Sequence, residues 1–379
     1  METKIIANYL PQFHTIPEND MWWGKGFTDW VAVKKAEPLF PGHDEPRIPI
    51  DGNYYDLSKK EAIAKQAEMA AKYGVYGFGI YHYWFSQEMH LLHKPAEVIL
   101  NNSDINIHYM FIWDNGSWKR TWSNVKDFAN DWAPVLDKTK KRSSDENGLL
   151  AELRYGGERE WEAHFDYLLP FFKDERYIKM DGKPLFVIFH QGNNSEVLRQ
   201  MMQCWNRLAQ EAGLPGIMIL GKHNSEDILI ADYEYFYEPL WHGWVWHNLG
   251  ERIRNKVEDV WHKKINTPTI YRYDAIWNRI LTTAIHSKDK KLFYGGFVGY
   301  DDTPRRGKRG KIIKGASPEK FERYLGKLLE ISNNQGKEFV FLTAWNEWGE
   351  GAYLEPDKTN GYAYLSAVKK ALERVRQRQ

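Results

Sequence analysis

Glu347 and Glu350 stand three residues apart in the run Trp345-Asn346-Glu347-Trp348-Gly349-Glu350-Gly351. Breaking or transferring a glycosidic bond calls for two carboxyl groups, one protonated to donate and one ionised. Flanking indoles supply a dry setting that raises one carboxyl pKa, and the neighbouring carboxylate keeps the pair split. The glycines let the backbone turn and come close to a ligand. The same spacing also fits a structural pair that caps a helix start or forms salt bridges, so the pattern alone leaves both roles open. Glu355 is a third carboxylate nearby, suited to binding a hydroxyl or to a structural task.

The composition points the same way. The chain carries 17 Trp, 22 Tyr and 18 Phe. Sugar rings present apolar C–H faces that pack on flat aromatic surfaces, while a large core consumes aromatics as well. Other chemistries find less support. His14, His43, His82, His190 and His223 lie on separate segments without metal-ligand spacing, so neither a metal nor another cofactor is expected. Cys204 is the single cysteine, which excludes an internal disulfide framework and a cysteine-based zinc site. Gly74-Val75-Tyr76-Gly77-Phe78-Gly79 has the wrong spacing for a dinucleotide fingerprint, and no Walker-type phosphate loop occurs. The run Arg305-Arg306-Gly307-Lys308-Arg309-Gly310-Lys311 suits either the grip of an anionic glycan or phosphate, or an internally paired loop. Lys138–Asn147 is a charged stretch expected to be a solvated loop.

With 52 basic against 51 acidic residues the net charge is +1, no footprint for nucleic acid or an anionic membrane. No run is apolar and long enough to span a bilayer. Met1–Leu10 lacks a basic-then-apolar leader, so a complete chain is expected to be cytoplasmic and a trimmed one periplasmic or exported.

The elements that must hold these groups can be read from hydrophobic runs. Strands are expected at Lys4–Tyr9, Val75–Tyr83, Asn106–Trp113, Pro184–His190, Gly216–Lys222, Tyr233–Glu238, Leu292–Val298 and Glu338–Trp345. Helices are expected at Leu57–Tyr73 with Asp56 or Ser58 at the start, Glu158–Lys173, Glu196–Ala212, Tyr271–His286, Pro318–Ser332 capped by Ser317, and Tyr362–Arg374. Eight apolar strands, mostly with helices between, predict an α/β fold of (β/α)8 barrel type spanning residues 1–379 as one domain, an open doubly wound sheet being the runner-up. The surplus over a minimal barrel falls in Pro11–Asp56, Asp114–Gly157 and Pro239–Pro268, long βα loops of the catalytic face. Chemistry in such barrels sits at the C-terminal strand ends. Substrate contacts are therefore expected from Tyr9, Gln12 and His14; Tyr81 and Trp84; Trp113, Asp114, Asn115 and Trp118; His190; Glu238; and Asn346 with Glu355.

Longer motifs carry a resemblance. Tyr9-Leu10-Pro11-Gln12-Phe13-His14, Ile16-Pro17-Glu18-Asn19-Asp20 and Trp22-Trp23-Gly24-Lys25-Gly26-Phe27-Thr28-Asp29-Trp30 resemble the WbsX-type family. So do Tyr54-Tyr55-Asp56-Leu57, Tyr83-Trp84-Phe85, Asp302-Thr303-Pro304-Arg305-Arg306-Gly307-Lys308-Arg309-Gly310 and the Glu347 run, a match from about residue 5 to 370. That family is often described as glycosyltransferases of bacterial lipopolysaccharide and polysaccharide assembly. It is also similar to family 99 glycoside hydrolases, (β/α)8 endo-α-1,2-mannosidases and mannanases. Their motif has the form Glu-Trp-His-Glu-Gly, matched here except at Gly349.

The resemblance implies that Glu347 is the base on a sugar 2-hydroxyl, giving a 1,2-anhydro intermediate and net retention, and that Glu350 is the general acid, then base. Two departures stand out. Many relatives read Trp-Ala-Asn-Glu-Asn-Trp where this chain has Trp113-Asp114-Asn115-Gly116-Ser117-Trp118, so Gly116 removes a carboxylate that Asp114 replaces in part unless the substrate differs. Tyr237-Glu238-Pro239-Leu240-Trp241-His242 is also unusual for the family. The implied function is a retaining, endo-acting glycoside hydrolase on an oligo- or polysaccharide, with no protein partner implied. The alternatives are a glycosyltransferase of lipopolysaccharide or O-antigen synthesis and a non-catalytic glycan-binding barrel.

Overall fold

The computed structural model describes residues 2–119, 149–192, 194–224, 230–245, 261, 264 and 266–378. Eight parallel strands close into a ring: β1 (Lys4–Tyr9), β2 (Gly77–Ser86), β3 (His108–Trp113), β4 (Lys183–Ile188), β5 (Met218–Lys222), β6 (Tyr233–Tyr235), β7 (Leu292–Phe297) and β8 (Phe339–Thr343). Each strand pairs with the next in sequence. β8 returns to β1, so that Ile6 stands opposite Phe341 on one side and Gly77 on the other. That closure excludes the open doubly wound sheet.

The strands form where the sequence has continuous apolar runs, since both of their faces are covered. All of β8 and all but the first residue of β1 are buried. Outer helices follow as α1 (Lys60–Tyr73), α2 (Lys94–Asn101), α3 (Glu158–Lys173), α4 (Ser195–Glu211), α5 (Tyr273–His286), α6 (Pro318–Asn334) and α7 (Ala363–Arg376). Among the described residues every strand but β5 is followed by one. α4 buries Leu198, Met201, Met202, Trp205 and Ala209, a 3.6-residue stripe laid on the barrel. Cys204 packs on the same helix as a buried free thiol.

Most boundaries agree with the sequence expectations within two residues, and the differences have local causes. α1 begins at Lys60 rather than Leu57 because the Asp56 carboxylate accepts from Ser58 N at 2.8 Å, closing a turn before the helix. It ends at Gly74, whose φ of 87° supplies the left-handed cap. Ser317 caps α6 as expected, its hydroxyl accepting from Lys320 N. α2 was not anticipated: with eight residues and Pro95 at its start it gives little periodicity to read. β8 stops at Thr343, short of Trp345, because the chain turns into a two-residue ribbon in which Asn346–Glu347 pairs antiparallel with Ala352–Tyr353. The Pro11–Asp56 segment carries two short helices, Pro17–Trp23 and Trp30–Lys35. The expected loop at Lys138–Asn147, and parts of Asp114–Gly157 and Pro239–Pro268, lie outside the described residues.

Candidate active site

A cleft of about 330 Å³ opens over the C-terminal ends of the strands. Its walls come from nearly the whole ring: Leu10 and Gln12 after β1, Tyr81 and Tyr83 on β2, Asp114 and Trp118 after β3, Phe189 after β4, and Tyr237 after β6. Trp23, from the long β1 loop, adds an indole. Arg305 and Arg306 follow β7, and Glu347 and Glu350 follow β8. Tyr81 and Tyr237 share a hydroxyl–hydroxyl bond of 2.9 Å across the barrel mouth. Flat rings beside paired carboxylates and guanidinium groups form a polar floor with apolar walls, the usual character of a small-molecule site.

Glu347 sits on the ribbon and is buried, while the Glu350 side chain is a quarter exposed. Arg305 joins them. Its Nη1 donates to Glu350 Oε1 at 2.7 Å and its Nη2 to Glu347 Oε2 at 3.3 Å. The same guanidinium donates through Nε to Asp29 Oδ1 at 3.2 Å, and Asp29 Oδ2 accepts from Gly349 N at 3.1 Å. One cation thus faces three carboxylates. The Glu347 carboxyl is pushed up to about 8, first by burial and next by the Glu350 charge, with Arg305 pulling the other way. A side chain at position 349 would force the Arg305 and Asp29 side chains to move: a Cβ there would lie 2.5 Å from Arg305 Nε and 2.6 Å from Asp29 Oδ2. The departure from a histidine at this point therefore goes with an arginine and an aspartate filling that volume.

Of the residues expected from sequence, the structure brings Gln12, Tyr81, Asp114, Trp118, Glu347 and Glu350 onto the cleft. His190 lies beside it, with Nε2 3.1 Å from Asp114 Oδ1. Asp29, Trp23, Phe189 and Tyr237 are not among the expected site residues, whereas Arg305 and Arg306 come from the basic run read as a grip for an anionic glycan or as a paired loop, and Tyr83 from the end of the second strand. Asp29 and Arg305 lie within the family motifs, but no spacing rule links positions 276 residues apart.

The other expected contacts do not reach the cleft, and strand parity explains three of them. Side chains alternate across a strand. Tyr81 and Tyr83 face the cleft, so His82 and Trp84 face the helices, where Trp84 stacks on His164 of α3 at 4.3 Å. Register places Tyr9 beside Ile80 and Trp113 beside His82, on that same outer face. Tyr9 accordingly donates to Gln66 of α1 at 2.6 Å, and Trp113 Nε1 to Trp84 O at 3.0 Å. His14 folds back to Pro11 O at 2.9 Å and is buried. Glu238 turns inward and binds the backbone N and the imidazole of His242, one turn on.

Two asparagines act as clamps instead of ligands. Asn346 accepts from Leu10 N at 2.7 Å and donates to Leu10 O at 3.0 Å, tying the β8 exit to the β1 exit. Asn115 does the same for His190, accepting from its N at 2.7 Å and donating to its O at 2.9 Å. Glu355 is buried behind Trp348, accepting from Trp348 Nε1, Tyr55 OH and Gln66 Nε2 at 2.6–2.7 Å. At Gly116 a Cβ would stand 3.4 Å from His190 and 3.7 Å from Asp114 Oδ1, so a side chain there would rise against that pair.

Among the described residues one group of possible metal ligands converges: His43, Glu45 and Asp301. His43 Nδ1 accepts from Leu39 N at 3.1 Å, which leaves the proton on Nε2 to donate to Asp301 Oδ2 at 2.8 Å. Arg47 Nη2 reaches the same oxygen at 3.3 Å. With the imidazole donating and a cation already present, the set does not suit a metal.

A closed (β/α)8 barrel with its cleft over the strand ends defines the class. The chain belongs to the family described as Glycosyltransferase WbsX, whose model matches residues 5–368. Among curated proteins it is 28% identical over 383 residues to an uncharacterized protein, WxcX, of two Xanthomonas campestris pv. campestris strains, covering 99% of this chain. The chain spans about half the length of these relatives (50%). Among solved structures it resembles the GH99 endo-alpha-mannosidase of Bacteroides thetaiotaomicron, at 15% identity and a TM-score of 0.55 over 98% of this chain and 97% of that one. A glycoside hydrolase-like protein matches at 13% identity and 0.54, over 98% and 94%. These likenesses show the barrel fold.

Proposed function

We propose that the chain is a carbohydrate-active enzyme, a retaining, endo-acting glycoside hydrolase acting on a polysaccharide. The carrying observation is the joining of Glu347 and Glu350 through one guanidinium inside an aromatic cleft. Glu347 takes the proton of a sugar 2-hydroxyl as O2 attacks C1, and Glu350 protonates the departing glycosidic oxygen. Water, deprotonated by Glu350, then opens the 1,2-anhydro ring at C1, and Glu347 returns its proton to O2. The two inversions give net retention. Trp118, Trp23 and Tyr83 supply faces for sugar rings, and Asp114 with His190 supplies polar contacts.

One observation favours exchanged roles. Burial holds Glu347 up to about 8, so a free enzyme near neutrality keeps its proton there, whereas Glu350 Oε1 faces a cation at 2.7 Å. A base must be ionised and an acid protonated. If Glu347 is the base, kcat/KM rises with pH to a limb near 8. If Glu347 is the acid, kcat/KM falls above that pH. The direction of the limb assigns the roles.

The family's description favours a second reading, transfer from an activated sugar donor. Hydrolysis in ¹⁸O-enriched water separates the two. A hydrolase places one ¹⁸O at each new reducing end without any donor, and a transferase releases no labelled sugar and requires a nucleotide- or lipid-linked donor. A glycan-binding barrel binds oligosaccharide and releases nothing.

A further inference from the structure

Arg305 and Asp29 reach the two glutamates from loops remote in sequence, and neither role above requires them. The guanidinium is only slightly exposed, at 13%, and its three donor nitrogens are committed to Asp29, Glu347 and Glu350. Asp29 is itself fixed by Gly349 N, so the guanidinium is held from behind. The missing side chain at position 349 leaves the space that Arg305 Nε and Asp29 Oδ2 occupy. We propose that Arg305, steered by Asp29, is a positioning residue that holds the Glu347 and Glu350 carboxyls together and sets the proton affinity of Glu347, on which any acid or base role of that group depends. The inference rests on the two glutamates being the reacting pair.

The charge balance explains how. Three carboxylates around one cation would leave two net negative charges in a buried place. Glu347, the drier carboxyl of the pair, is held up by burial first and by the Glu350 charge next. Arg305 lowers the proton affinity of Glu347, and Asp29 raises it. The other polar groups facing the pair are Tyr81 and Tyr83 from β2, Tyr237 after β6, and Tyr300, Asp302 and Arg306 from the β7 loop. The tyrosines are all held above their usual range by burial, and Arg306 Nε is paired with Asp302 Oδ2 at 3.1 Å. Asp114 stands across the cleft with His190.

The test titrates the carboxyls directly and needs no substrate. In the full chain labelled with ¹³Cδ-glutamate, the Glu347 and Glu350 resonances are assigned by their loss in Glu347→Gln and Glu350→Gln, and followed by NMR from pH 4 to 10. Arg305→Gln is expected to raise the Glu347 midpoint by about one unit or more, because a cation at hydrogen-bond range is gone. Asp29→Asn is expected to lower it. Gly349→Ala, which displaces the pair without changing any charge, is expected to move the midpoint upward, as Arg305→Gln does. A merely structural role would shift all three variants together or not at all, and either outcome overturns the proposal. Because product release is measured separately, inactive glutamates with opposed shifts would refute the catalytic assignment while leaving the electrostatic coupling in place. Essential glutamates with no opposed shifts would refute the positioning pair alone.

Discussion

The indole Nε1 of Trp348 donates to the Glu355 carboxylate at 2.7 Å, so the tryptophan between the two cleft glutamates is anchored by a third glutamate of the same loop. Tyr55 and Gln66 donate to Glu355 as well, joining the β1 loop and α1 to that anchor. Burial nevertheless raises the Glu355 carboxyl to about 7, against the donors that favour its charge.

A pH dependence of stability follows, with a definite sign. An unfolded glutamate titrates near about 4.3. The folded group holds its proton to higher pH, so the stability it contributes is complete below about 4.3 and is lost as pH rises through about 7. Glu347, raised to about 8, acts in the same direction. In urea unfolding, wild type is expected to lose stability relative to Glu355→Gln, which cannot ionise, as pH rises from about 4.3 through about 7. Taking the difference cancels the buried His82 and His164, whose lowered pKa acts in the opposite direction.

The Asn346 clamp makes a separate prediction. Asn346→Ala removes two buried hydrogen bonds and leaves Leu10 N and O without partners. The expected loss is about 2–4 kcal/mol of unfolding free energy. Asn346→Asp keeps the acceptor for Leu10 N but sets an oxygen against Leu10 O, and is expected to destabilise by a similar amount. Chemical denaturation of both variants checks this, and a loss below about 0.5 kcal/mol in each would show that the β8–β1 junction does not depend on the clamp.

Much of this was legible in the sequence, and what was not has a physical reason. Strand and helix positions could be read because burial imposes continuous apolar runs on strands and a 3.6-residue stripe on helices. The glutamate pair could be read because it lies within one short run. Which face of a strand looks into the cleft could not, since both faces of a barrel strand are apolar and parity leaves no polar alternation. Tyr81 and Trp84 looked equivalent in the sequence and point opposite ways in the fold. Arg305 and Asp29 could not be connected, because only ring closure brings the β7 and β1 loops to the β8 loop. The basic run was readable as a grip for anions or as an internally paired loop, and for Arg305 and Arg306 the pairing is internal.

Asp114 tests how the chain manages without a glutamate at position 116. Asp114→Ala is expected to raise KM about tenfold or more with a smaller effect on kcat, since it removes a wall contact and the His190 partner rather than a reacting group. Gly116→Glu is expected to fold, because a Cβ there meets only His190 and Asp114 side-chain atoms at 3.4 Å or beyond. Steady-state kinetics of the two variants, with thermal unfolding as the control, measures both effects. A kcat loss with unchanged KM in Asp114→Ala would instead put Asp114 among the reacting groups.

The most direct measurement is mass-spectrometric detection of oligosaccharides released from a panel of bacterial and plant polysaccharides, wild type beside Glu350→Gln. The wild type is expected to release oligosaccharides from at least one polysaccharide with no added donor. Glu350→Gln is expected to release them about 10²–10⁴ times more slowly, the usual contribution of a general acid–base group. Release by Glu350→Gln at the wild-type rate, or none by the wild type from any polysaccharide, contradicts a hydrolase built on this carboxylate pair.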